Sequence, residues 1–221
     1  MLKSKVPFVL AWSSIASAFA FCFYTAGLLY FFDQTFTVAD QLSIKSQVAS
    51  GPLKKSQGMV TIETNYGTIK IELLPNDAPN TVQNFTRLAS QQFYDGVRFH
   101  RVINGFMIQT GDPFSKDTSL IGRWGTGGPG YSFNDEINKG SALYAHGYPR
   151  GTVAMANSGP NTNGSQFFIM QADNNLPALY TIFGKVTEGL SVVDKIASVK
   201  TTGSPYDRPL TEVLIKKVVV E

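Results

Sequence analysis

The chain reads as a mainly β protein, a closed barrel of short strands capped by two helices, with one transmembrane helix in front of it. Two observations lead there. Between Met59 and Val220, short runs that alternate apolar and polar residues recur between Gly, Pro, Asn and Asp clusters, with two segments of helical period among them. Many short strands with few helices indicate a barrel closed by capping elements. Ahead of them, Phe8 to Phe32 is a stretch of 25 residues with no charged side chain.

The chain opens on a short basic tail, residues 1–7, with Lys3 and Lys5. Residues 8–32, as a helix rising ~1.5 Å per residue, are long enough to span a ~30 Å hydrocarbon core. A cleaved signal peptide is the competing reading, with Ala18-Phe19-Ala20 as the cleavage site. Cutting there would leave the apolar run Phe21 to Phe32 on the mature N-terminus, and bulky Phe21 before Cys22 does not suit lipid attachment, so a retained signal anchor is expected. Lys3 and Lys5 keep the N-terminus cytoplasmic by the positive-inside rule and send the rest to the exported side, periplasmic or extracellular. Lys45, Lys54 and Lys55 pull mildly the other way. Residues 33–57 form a polar linker ending at Gly51-Pro52 and the two lysines. Thr37 followed by Asp40 resembles a capping box, and Val38, Leu42 and Ala49 could line one face of a short helix. As a flexible coil this linker would reach about 25 to 30 Å.

The domain expected over residues 58–221 starts with an antiparallel hairpin, Met59 to Asn65 and Thr68 to Leu74 around Tyr66-Gly67. Pro79 opens a helix with Val82, Phe85 and Leu88 on its core face, closing before Asp95-Gly96. Val97 to Ile103 alternates, Asn104-Gly105 is a strong hairpin signal, and Phe106 to Gln109 returns. Period-2 geometry sets Phe99 and Arg101 on one face, His100 and Val102 on the other, and Phe106 and Ile108 opposite to Met107 and Gln109. By itself Arg101 reads as a surface cation lying over apolar neighbours. A glycine-rich loop, Thr110 to Gly130, follows. Gly151 to Asn157, Ser165 to Gln171, Thr181 to Val186 and Glu212 to Val220 read as strands, and Gly189 to Ser198 as the second helix.

Charge and chemistry exclude several classes. Residues 58–221 carry 14 basic and 14 acidic side chains, so the net positive charge belongs to the N-terminal segment and gives no footprint for nucleic acid. One cysteine and two histidines, His100 and His146, leave no intrachain disulfide and no metal-ligand spacing. Gly125-Thr126-Gly127-Gly128-Pro129-Gly130 satisfies the dinucleotide pattern literally, but no helical period follows it. No hydrolase elbow is present, and the adjacent carboxylates Asp135 and Glu136 should point apart in an extended segment. The Asn/Gly/Ser-rich stretch Asn157 to Phe168 lies beside a strand and can present backbone amides and carbonyls to a ligand.

Four segments, FHRVINGFMIQTGD from Phe99, WGTGGPGYSFNDE from Trp124, GTVAMANSGPNTNGSQFFI from Gly151 and YTIFGKV from Tyr180, closely resemble the cyclophilin family of peptidyl-prolyl cis-trans isomerases. The match runs in family order from about Met59 to Val220 and suggests a membrane-anchored, bacterial-like member. The resemblance implies a closed eight-stranded antiparallel barrel with two helices and a substrate groove on its outer face, acting on proline-containing polypeptides without metal or cofactor. It makes Arg101 the catalytic arginine and Phe106, Met107 and Phe168 the proline pocket, with Leu176 completing it. It assigns peptide contacts to Gln109, Ala156, Asn157 and Gln166, and the wall of the groove to Gly125 and Thr126. Two departures from the family stand out. Its frequent Trp is Asn175 here, which implies weak cyclosporin binding, and its frequent groove His is Tyr180. The loop Phe114 to Arg123, longer than in compact bacterial members, is expected to modify substrate preference. A non-catalytic proline-peptide-binding or chaperone module on the same fold is the alternative.

Overall fold

The computed structural model describes residues 58–221; the expected anchor at 8–32 and the linker at 33–57 lie outside the described residues. Among the described residues there are eight strands and two α-helices: β1 Met59–Thr64, β2 Gly67–Leu73, α1 Pro79–Ser90, β3 Arg101–Ile103, β4 Met107–Thr110, β5 Thr152–Met155, β6 Phe167–Met170, β7 Ile182–Glu188, α2 Leu190–Ala197 and β8 Ile215–Val220. The strands form one antiparallel sheet in the order β3-β4-β6-β5-β7-β2-β1-β8.

The expected closed barrel is corrected here. β3 and β8 end the sheet and do not pair with each other, so the sheet curls into a half-barrel. The gap is bridged instead by the segment before β3 and the start of β8: Gly96 and Phe99 donate N–H to the Ile215 and Val213 carbonyls, and the Ile215 N–H donates to the Val97 carbonyl. A ladder needs both partners extended over several residues, and β3 is only three residues long.

Alternation places the core. Val60 and Ile62 of β1 and Ile69 and Ile71 of β2 are fully buried inside the curl, and α1 and α2 add Val82, Phe85, Leu88 and Ala89, and Val192, Val193, Ile196 and Ala197. Pro79 stands in the first turn of α1, where its missing N–H costs nothing. Ala78 offers no side-chain cap; Glu136 supplies one from a distant loop, accepting from the Asn80 and Thr81 N–H groups at 3.0 and 2.8 Å and from both side chains. Asp135 instead accepts from the Asn161 N–H and the Asn163 amide. The two carboxylates therefore serve separate structural roles.

Local details shift. The first turn is Asn65-Tyr66, one residue earlier than expected, because Thr64 closes it through its hydroxyl to the Gly67 carbonyl at 2.7 Å and from the Tyr66 N–H at 3.0 Å. Gly67 is needed for packing as well: its φ is +133°, and a Cβ there would come within 2.8 Å of Val192.

Candidate active site

The site grows on the outer face of β4, β6 and β5. Because neighbouring residues of a strand point to opposite faces, Phe167 and Ile169 join the inner core while Phe168 and Met170 join a second apolar cluster outside. Ile108 and Met107 of β4 divide in the same way, as do Val153 and Ala154 of β5. Buried Tyr148 and Ile182 support the outer cluster, and half-buried Phe106, Leu176 and Tyr180 edge it.

Two readings of the Phe99–Gln109 hairpin are corrected. Phe106 is not in the returning strand. It closes a three-residue turn, Asn104-Gly105-Phe106, with Gly105 at φ +77° and the Phe106 N–H donating to Ile103. Strand alternation therefore does not separate Phe106 from Met107, and both line the same cavity. His100 also lines that cavity with Arg101, whereas Phe99 enters the inner core. Regular alternation begins only at Arg101, because the preceding residues bridge to the 213–215 segment instead of continuing β3.

An outward-facing cavity of about 450 Å³ is lined by every expected site residue except Thr126 and Gln166. Those two line an adjoining cavity of about 230 Å³, which shares Gln109, Gly125, Ala156 and Asn157 with the first. All twelve residues thus meet in one continuous groove. Phe168 forms part of the apolar floor, 6% exposed, edge-on to Tyr180 with ring centroids 5.5 Å apart. The Tyr148 hydroxyl donates to the Tyr180 carbonyl at 2.8 Å and accepts from its N–H at 3.1 Å, fixing that wall.

A hydrogen-bond relay ties strand to loop. Gln109 donates to Gln166 at 3.0 Å, and Gln166 donates to the Gly127 and Gly125 carbonyls at 2.8 and 3.1 Å. Beneath them the fully buried Asp112 accepts from the Phe114 N–H at 2.8 Å and from the Gly125 N–H. A Cβ at Gly127 would meet Asp112 at 2.1 Å. The glycine-rich wall is therefore close backbone packing on a carboxylate, and Pro129-Gly130 leads into no helix. Asn157 spends its side chain on the loop, donating to the Leu179 carbonyl at 2.9 Å and accepting from the Gly159 N–H at 3.2 Å.

Arg101 lies across from Gln109 in the β3–β4 register and is 41% exposed, with its Nε 3.9 Å from the Asp207 carboxylate. His100, only 4% exposed, has no hydrogen-bond partner for either ring nitrogen among the described residues. Burial pulls its pKa down to about 4, against the opposing pull of Asp112. Next to Arg101 the imidazole is thus neutral. Among the described residues no three His, Cys, Asp or Glu side chains come together as metal ligands.

Sequence reasoning missed Trp124, Pro205, Tyr206 and Arg208, which also line the cavity. Trp124 directly precedes the glycine-rich wall and donates its indole N–H to the Asp117 carbonyl at 3.0 Å. The other three sit in the 201–209 loop, whose Gly and Pro residues mark turns but carry no chemical signature. The loop Phe114 to Arg123 folds into two short 3-10 turns, Pro113–Lys116 and Thr118–Arg123, and does not itself line either cavity.

Comparison with known proteins agrees with this geometry. Residues 59–220 match the family model described as cyclophilin type peptidyl-prolyl cis-trans isomerase/CLD. A peptidyl-prolyl cis-trans isomerase of Arabidopsis thaliana is 48% identical over 162 residues, covering 73% of this chain and 94% of the relative. Peptidyl-prolyl cis-trans isomerase B of Streptomyces anulatus is 46% identical over 179 residues, covering 73% and 95%. With a plant and a bacterium at similar identity, the likeness favours no bacterial character. A solved cyclophilin type peptidyl-prolyl cis-trans isomerase of Cryptosporidium parvum superposes with a TM-score of 0.64 at 34% identity, covering 74% of this chain and 97% of that one. The same protein has been solved in the presence of the dipeptide Ala-Pro. With a family model matched over residues 59–220 and relatives 46–48% identical over nearly their whole length, the chain belongs to the cyclophilin-type peptidyl-prolyl cis-trans isomerase family.

Proposed function

We propose that Arg101 accelerates rotation about X-Pro bonds by stabilising the twisted amide, with no covalent step. Amide resonance sets a barrier of ~18 to 20 kcal/mol, while cis and trans X-Pro differ by only ~0.5 to 1 kcal/mol. Catalysis therefore requires tighter binding of the twisted form than of either planar form, and no nucleophile, metal or proton shuttle. In the twisted state the proline nitrogen regains a localised lone pair. A permanently charged planar donor aimed at it is favourable only there.

The observation that supports this reading is a single cavity lined by Arg101 together with Phe106, Met107, Phe168 and Leu176. Those side chains would hold the proline ring by apolar burial. Gln109 and Gln166, already locked to each other, and the main chain of Asn157, whose side chain is engaged elsewhere, would anchor the neighbouring peptide groups. Rotation then takes place about one end of a clamped chain. The full chain should speed cis-to-trans relaxation of a proline peptide, and Arg101→Ala should cut kcat/KM by about 10²- to 10³-fold. Equal acceleration by wild type and variant would overturn the mechanism.

The charge-free run at 8–32 supports a single-pass anchor that tethers the domain on the exported side, where it would act on folding or exported polypeptides. Protease added to intact and to opened cells tests this: protection of the domain in cells stripped of any outer barrier would reverse the orientation. Asn175, absent from the cavity lining, supports weak cyclosporin binding.

A further inference from the structure

From the loop that closes the Arg101 end of the groove, we infer that this isomerase prefers proline peptides carrying a carboxylate next to the proline, with Arg208 as the residue that reads it. The inference rests on the isomerase reading of the same cavity and goes further, to a substrate class.

Among the described residues, the only charged ones that line either cavity are Arg101 and Arg208, and none is acidic. Asp112, which lies beneath the groove, is fully buried and occupied by two backbone N–H groups. Asp207 faces Arg101 at 3.9 Å and leaves Arg208 without an ion pair among the described residues. The groove thus presents one cation that its fold compensates and one that it does not.

Arg208 is also held in place. Thr202 donates its N–H to the Arg208 carbonyl at 2.8 Å and accepts the Arg208 N–H on its hydroxyl at 3.1 Å. Thr201 and Pro209 bridge the base of the loop, and the Asp207 carbonyl accepts from Val102 on the free edge of β3 at 2.9 Å. The guanidinium carbon lies over the Tyr206 ring, 4.4 Å from its centroid. A guanidinium held against a ring still has N–H groups to offer, and their fork matches a carboxylate. Because Tyr206, Pro205 and Arg208 line the larger cavity and not the adjoining one, the carboxylate belongs on one flank of the proline only, the flank away from the adjoining cavity.

The test uses the full chain and blocked proline peptides with Glu, Gln or Lys placed immediately before or immediately after the proline. Wild type should favour Glu over Gln about three- to fivefold in kcat/KM in one of the two series, the size expected of a half-exposed ion pair. Lys should be poorer still, and raising salt should shrink the preference. In Arg208→Gln the Glu-to-Gln ratio should fall to about one; the ratio is insensitive to any general loss of activity. A free C-terminal carboxylate placed beside the proline in a short peptide, compared with its amide, separates a terminal from a side-chain source. Equal rates for Glu and Gln in both series, or a preference surviving in Arg208→Gln, would overturn the inference while leaving the isomerase reading intact. Absence of any acceleration with the Gln peptides would instead remove the isomerase reading itself.

Discussion

Phe167 and Phe168 are consecutive, identical in chemistry, and employed on opposite faces of one sheet. Phe167 is fully buried in the inner core, edge-on to Phe85 at 5.3 Å and to Tyr94 at 5.7 Å. Phe168 lines an open cavity, against Tyr180 and, at 6.4 Å, Tyr148. Inside, apolar side chains enclose one another and no charge enters the cluster. Outside, a similar apolar floor is left unfilled and a guanidinium is brought to it. Core and cavity wall are thereby separated by one residue along β6, and each face can be perturbed on its own.

The sharpest break in that comparison comes from truncating each ring. Phe167→Ala should destabilise the fold by about 3 to 5 kcal/mol through loss of buried area and the cavity left behind. Isomerase activity per folded molecule should change little. Phe168→Ala should cost less stability yet lower kcat/KM at least tenfold. Chemical denaturation alongside peptide kinetics checks both, and equal stability losses with equal activity losses would erase the distinction.

His100 sharpens the comparison because it lies at the border. Its pKa of about 4 in the fold lies below the ordinary value, with burial as the chief cause. Between those values the unfolded chain binds the proton and the folded chain does not. The stability that comes from holding the ring neutral is therefore fully present above the ordinary histidine pKa of about 6.5 and is lost as pH falls toward 4, by about 3 kcal/mol in total. His100→Gln should flatten the stability profile in that window. An unchanged slope would mean that His100 titrates as an exposed imidazole.

The smallest effect is expected at Asp207. Its carboxylate is 18% exposed and Arg101 41% exposed, at 3.9 Å, so solvent screening limits the pair to about 1 kcal/mol or less. Asp207→Asn keeps a residue that tolerates the φ of 50° found there. It should lower kcat about two- to fivefold with little change in KM, more at low salt than at high. A change confined to KM would show that Asp207 acts on binding and does not position the guanidinium.

Much of this is legible in the sequence alone. Val60, Ile62, Ile69 and Ile71 alternate in the sequence and fill the core; Pro79 opens α1 as its position suggests. Eleven of the twelve expected site residues lie in the four segments that resemble the family, with Leu176 outside them, and all twelve line the two adjoining cavities. The failures share a cause. Period 2 misplaces His100 and Phe99 because it is extended through a segment that bridges to residues 213–215, and it misplaces Phe106 because the turn runs over three residues, Asn104 to Phe106, and not two. Alternation is reliable only where a ladder is continuous.

By itself the sequence determined the strand and helix set, the apolar character of both faces, and the cation in the hairpin, because side-chain period and turn chemistry are local properties of the chain. The tertiary structure alone decided that the two ends of the curl are bridged by hydrogen bonds between the segment before β3 and residues 213–215. It also decided that Glu136 caps α1 from 55 residues away and that Trp124 and the 201–209 loop form walls of the groove. Those features depend on backbone groups and side chains that meet only after distant segments pack, and no local pattern encodes that meeting.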